Sequence, residues 1–208
     1  MNGTAHAAIG AAAGYVVANT VHASTSTTLL LVGLGSVSGL IPDLDIDGKL
    51  RDRLTLSHEV VRTVAQIIGI LMIIYSFYEG SPKEKWFGMA IGIGMTAISA
   101  KIKQKHMLTI TGIGVLSGGI SLQELWLILF GIYILIASFV SHRSYTHSLL
   151  GVVFFAFISS RFEMSLGIEG VYYTCLAGYI SHLIADLKIL PFNKRGVKLF
   201  LPISSKEI

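Results

Sequence analysis

Charge is what the first fifth of this chain lacks: no Lys, Arg, Asp or Glu occurs before Asp43. A cleaved leader needs a basic segment ahead of its apolar core, so the N-terminus is expected to be a mature membrane segment. Charge is scarce throughout, at 13% of the 208 residues, where a soluble domain carries about 25%. Cys175 is the one cysteine, which excludes an intrachain disulfide and a multi-thiolate metal site. There is no long basic arm of the kind a nucleic-acid binder uses, so no nucleic-acid partner is expected.

What fills the chain instead is apolar sequence. Seven or eight stretches can be read, at residues 4–22, 28–41, 60–79, 86–100, 107–120, 123–141, 147–160 and 168–187. A full membrane span needs about 20 residues, and several stretches are shorter. The pattern predicts an all-α fold: a polytopic membrane helical bundle with several short or tilted helices, forming a single integral membrane domain over 1–208. The 86–100 and 107–120 pieces are the weakest, readable as tilted spans, a re-entrant pair or short buried helices. Gly10 with Gly14, Gly35 with Gly39, and Gly88 with Gly92 recur at four-residue spacing, which lets helix backbones approach closely in lipid. Pro42 is expected to end the second apolar run by holding Ile41 out of helical geometry.

If the eight stretches alternate across the bilayer, one side receives thirteen of the 16 Lys and Arg residues and the other only Lys83, Lys85 and Arg161. Basic residues accumulate on the cytoplasmic side, so the richer side, which includes Arg143 and Lys194, is predicted to face the cytoplasm. Should the two weak stretches fail to cross, the bias falls to ten against six, and the other spans keep their sense.

On that topology the ionisable residues gather. His6 starts the first helix and Pro42-Asp43-Leu44-Asp45 follows the second. His142-Arg143-Ser144-Tyr145-Thr146-His147-Ser148 forms a turn, and His182 and Asp186 end the last helix. All lie at the same predicted membrane face. Ionisable groups inside a bilayer are costly unless paired or metal-bound, and are functional candidates by default. His182 and Asp186 are four apart and share a helical face; His142 and His147 are five apart, so at least one belongs to the turn. Ser144 or Thr146 is placed to cap the helix that follows. The metal-ligand candidates are therefore His6, Asp43, Asp45, His142, His147, His182 and Asp186. They are too many for one tetrahedral ion, so either more than one ion binds or some act as base or supporting residues.

Asp43-Leu44-Asp45-Ile46-Asp47-Gly48 matches the first half of a calcium loop, but Arg51 and Leu54 stand where the ninth and twelfth ligands belong. That reading is set aside. His22 and His106 are expected to be bystanders, and His58 an auxiliary at most.

These blocks resemble those of the YdjM-like membrane proteins, described as LexA-regulated, membrane-bound, metal-dependent hydrolases. The resemblance rests on Thr4-Ala5-His6 with Gly10, on Pro42-Asp43-Leu44-Asp45, on His142 to Ser148, and on Gly178 to Asp186. Of these, His142 to Ser148 is the most specific. It implies a hydrolase, and its likeness to zinc phospholipases and nucleases implies phosphoester substrates, lipid-like ones among them. Imidazole and carboxylate ligands suit Zn²⁺, with Mn²⁺ the alternative. Asp43, Asp186 and Arg143 are the expected catalytic set, with the guanidinium fork of Arg143 holding phosphate. The rival readings are a metal or proton transporter, whose site normally lies near the midplane, and a noncatalytic scaffold with a structural metal.

Overall fold

The computed structural model describes residues 3–44, 58–79, 82–101, 104–140, 143–189, 193 and 196–208. Among them are eight α-helices and no strand: α1 (Gly3–Thr20), α2 (Thr25–Ser38), α3 (His58–Glu79), α4 (Pro82–Ser99), α5 (Gln104–Leu122), α6 (Leu125–Ala137), α7 (Leu149–Leu166) and α8 (Val171–Ala185). Two short 3-10 turns, Ile41–Asp43 and Tyr145–His147, complete the set. Each predicted apolar stretch has become a helix. Among the described residues three segments are long and apolar enough to cross a membrane: Thr25–Asp43, Val61–Tyr78 and Leu149–Leu166. The two weakest stretches are helices of 18 and 19 residues, about 27 Å at 1.5 Å per residue. Within their own units α4 packs on α3, and α5 on α6.

The chain divides into two compact units, Met1–Arg51 with Leu108–Ile208, and Asp52–Met107. In the first unit glycine sets the packing. The buried residues of α1 are His6, Gly10, Gly14 and Ala18, a stripe of period four along one face. A Cβ on Gly10 would strike Gly35, and one on Gly14 would strike Leu31, so α1 and α2 run antiparallel with backbones in contact. A Cβ on Gly178 would stand 2.6 Å from the Gly35 carbonyl oxygen, which seats α8 on the same α2 face. Small residues thus hold three helices together where bulkier ones would hold them apart. Around this seam Leu31, Tyr133, Phe155, Ile158, Val171 and Tyr179 form the core.

Local signals at the helix ends place the connecting turns. Ser24 caps α2, accepting the Thr27 N–H. At its other end α2 stops at Ser38, with Gly39 as the cap. It therefore ends before Pro42, which sits inside the 3-10 turn with Ile41. The helix is closed by the cap and not, as expected, by proline at its boundary. Ser148 caps α7, its Oγ accepting the Gly151 N–H. The cap is therefore Ser148, in place of the predicted Ser144 or Thr146, because the 3-10 turn through His147 delays the start of the helix.

The second unit is a hairpin of α3 and α4. A Cβ on Gly92 would lie 2.6 Å from the Gly69 carbonyl oxygen, and Thr96 donates to the Gly92 carbonyl at 2.9 Å. Its outward residues, among them Leu71, Tyr75, Tyr78, Trp86 and Phe87, are large, apolar and exposed, as on a lipid-facing surface.

Candidate metal centre

Four separate segments of the first unit meet at one point. α1 brings His6, the 3-10 turn after α2 brings Asp43, the turn before α7 brings Arg143 and His147, and the end of α8 brings His182 and Asp186. The glycine seam makes the meeting possible. A Cβ on Gly39 would lie 2.7 Å from the His6 carbonyl oxygen, so Gly39 lets α1 and α2 close at the level of the cluster. The Gly39 carbonyl in turn accepts the Nδ1–H of His182 at 2.7 Å. Leu44, buried against Leu108 and Ile134, anchors the turn that carries Asp43.

A carbonyl oxygen only accepts, so His182 carries its proton on Nδ1 and a lone pair on Nε2. That Nε2 lies 3.2 Å from His147 Nε2 and 3.6 Å from Asp43 Oδ1. His147 Nε2 is also 3.6 Å from Asp43 Oδ1. Ligands about 2.0–2.1 Å from a tetrahedral ion stand roughly 3.3–3.4 Å apart. The triangle of two imidazoles and one carboxylate therefore has the edge lengths and donor chemistry that a first-row divalent ion requires, and the residues present fit such an ion. On its far side His147 Nδ1 faces Thr146 Oγ1 at 3.1 Å.

Beside this triangle lies an ion-paired array. Asp186 Oδ2 accepts from the Arg143 guanidinium at 3.1 Å, and its Oδ1 is 3.4 Å from His6 Nε2. His182 Nε2 stands 3.8 Å from Asp186 Oδ2. The His6 and His182 rings stack with centroids 3.8 Å apart. The four groups His6, His147, His182 and Asp186 are buried. The Asp43 side chain is 16% exposed and that of Arg143 24%, so these two form the mouth. Arg143 adopts a left-handed backbone, φ +60°, a conformation uncommon for residues other than glycine and concentrated at functional turns.

The structure thus joins His6, Asp43, Arg143, His147, His182 and Asp186 in one cluster. Asp45, His142 and most of the calcium-loop-like run lie outside the described residues, as does the His58 side chain. His22 lies in the turn between α1 and α2, at the opposite end of α1 from His6, and His106 is exposed at the start of α5.

Sequence reasoning missed the supports. Tyr179 donates to the Thr146 carbonyl and lies 3.1 Å from the Tyr133 hydroxyl. It pins the residue whose side chain faces His147. A Cβ on Gly151 would come within 2.7 Å of the Tyr179 hydroxyl, so glycine there leaves room for that link. The only sequence signal is that Tyr179 sits three residues before His182, on the same buried stripe of α8.

Neither curated proteins nor solved structures include a match to this chain. A family model does match it, over residues 1–208. That whole-chain match places the chain in the YdjM inner membrane protein family.

Proposed function

We propose that this protein is a membrane-bound, metal-dependent hydrolase acting on a phosphoester at the cytoplasmic face. The observation that carries the reading is the triangle of Asp43 Oδ1, His147 Nε2 and His182 Nε2, with edges of 3.2–3.6 Å. These three residues would hold a divalent ion, Zn²⁺ by donor type with Mn²⁺ as the alternative. When bound, such an ion supplies Lewis acidity and lowers the pKa of water.

The remaining work belongs to side chains. Arg143 stands at the mouth, where its planar fork suits phosphoryl oxygens. Asp186, in contact with His6 through Oδ1 and with the Arg143 guanidinium through Oδ2, holds that guanidinium at the mouth. Burial of His6, His147 and His182 keeps bulk water from competing at the cluster. Next to the His147 turn, a cavity of about 240 Å³ opens between Tyr133, Tyr145, Thr146, Gly151 and Phe154. Its apolar walls support a substrate with a hydrocarbon part, such as a lipid. The cluster lies at helix ends and not at mid-helix, which disfavours the transporter reading.

The test is phosphate release from lipid and soluble phosphoesters in detergent, with and without chelator. Chelator-sensitive hydrolysis that Asp43→Asn and Asp186→Asn suppress without unfolding is the expected result. Folded, metal-loaded protein that cleaves nothing on a broad panel, yet moves metal across vesicles, would replace the hydrolase with a transporter. For the orientation, cysteines placed at 143 and 194 in a Cys175-free background should be labelled from the cytoplasmic side; labelling of both from outside reverses it.

A further inference from the structure

Two groups of three ligand-type residues overlap in the cluster: Asp43, His147 and His182, and His6, His182 and Asp186. Both need His182. Its Nδ1 donates to the Gly39 carbonyl, so it has one lone pair, on Nε2, and that lone pair serves one ion. The geometry points to a mononuclear centre, with the ion on Asp43, His147 and His182, and with His6, Asp186 and Arg143 kept as a metal-free ion-paired array beside it. This inference rests on the metal-centre reading above.

Three observations decide between the two groups. The first concerns the far side of each ring. A ligating histidine almost always anchors its other ring nitrogen on a hydrogen-bond partner, which fixes the tautomer and ring orientation. His182 does so on the Gly39 carbonyl, and His147 faces Thr146 Oγ1. His6 Nδ1 is buried and has no hydrogen-bond partner among the described residues. The second concerns Asp186, both of whose oxygens are engaged: Oδ1 by His6 and Oδ2 by Arg143. A guanidinium stays charged in proteins, so an ion on Oδ2 would sit against a fixed cation. The third is shape. The Asp43 triangle is closed, with edges of 3.2–3.6 Å, whereas the second group reaches 3.8 Å from His182 Nε2 to Asp186.

The division has a chemical consequence. Two-metal phosphoesterases place a second cation where charge develops on the phosphoryl group. Here Arg143 supplies that positive charge, held in place by Asp186, and Asp186 is itself positioned by His6. His6 is then a positioning residue and not a ligand.

The experiment is metal counting on detergent-purified protein equilibrated with excess zinc and then freed of unbound ion, for wild type, His6→Gln and His147→Ala. Helical content and thermal unfolding are measured alongside. One zinc per chain in wild type and in His6→Gln, and none in folded His147→Ala, is the expected result. Two zinc per chain in wild type overturns the mononuclear assignment and leaves the metal centre standing. Loss of the ion from folded His6→Gln also overturns it. No tightly held zinc in wild type overturns both this inference and the reading it rests on. The wild-type count needs no variant to fold.

Discussion

The two units of this chain use the same packing device for different ends. In Asp52–Met107, Gly69 and Gly92 bring α3 and α4 into backbone contact, and nothing further is built on that contact among the described residues. In the other unit, Gly10, Gly35, Gly39 and Gly178 bring three helices together, and the seam ends in His6, Asp43, His147, His182 and Asp186. Close packing by glycine is therefore a general property of the chain. What distinguishes the first unit is that its seam carries ionisable groups to one end. The burial of the spans differs accordingly: 33% of the Thr25–Asp43 window is buried against 11% of Val61–Tyr78, so α2 is packed between α1 and α8 while α3 has α4 against one face.

The largest expected effect breaks that contrast at the cluster itself. His182→Ala removes the one imidazole common to both ligand groups and should abolish metal retention through purification, while His22→Ala, at the other end of α1, should retain it. Equal retention in the two variants would remove the centre. A smaller effect is expected one layer out. Tyr179→Phe deletes the hydroxyl that ties α8 to the Thr146 carbonyl, and loss of such a support typically weakens metal binding by about 10–100-fold. A chelator-competition titration reads this, and unchanged affinity with unchanged melting would make Tyr179 a packing residue only. The smallest effects compare a glycine at a close helix contact with one that faces open space. Gly178→Ala forces a methyl against the Gly35 carbonyl and should destabilise by about 1–3 kcal/mol. Gly94→Ala, with nothing within 4 Å of its Cβ position, should be neutral or stabilise by up to about 1 kcal/mol through helix propensity. Thermal unfolding in detergent gives both, and equal shifts would deny that Gly178 sits at a close backbone approach.

Much of this was legible before the structure. His6 repeats the four-residue period of Gly10, Gly14 and Ala18, so its place on the buried stripe of α1 follows from sequence spacing. His182 and Asp186 are one helical turn apart, and charge bias put all the cluster segments at one predicted face. The supports were not legible, for a physical reason. The acceptor for His182 is the backbone carbonyl of Gly39, and every residue has a carbonyl, so no residue type announces it. Tyr179 reads as one more aromatic on an apolar helix until the Thr146 carbonyl is seen above it. The division of labour between Asp43 and Asp186 was equally hidden, since both are aspartates at helix ends and only the structure shows Asp43 beside His147 and His182, and Asp186 beside Arg143, His6 and His182.

X-ray absorption at the zinc edge tests the central claim most directly, on detergent-purified, zinc-loaded protein. The account predicts two imidazole nitrogens and carboxylate or water oxygen at about 2.0–2.1 Å, in tetrahedral coordination, with one imidazole lost in folded His147→Ala if any ion remains. An all-oxygen shell without imidazole scattering, or a wild-type spectrum unchanged by His147→Ala, would contradict it.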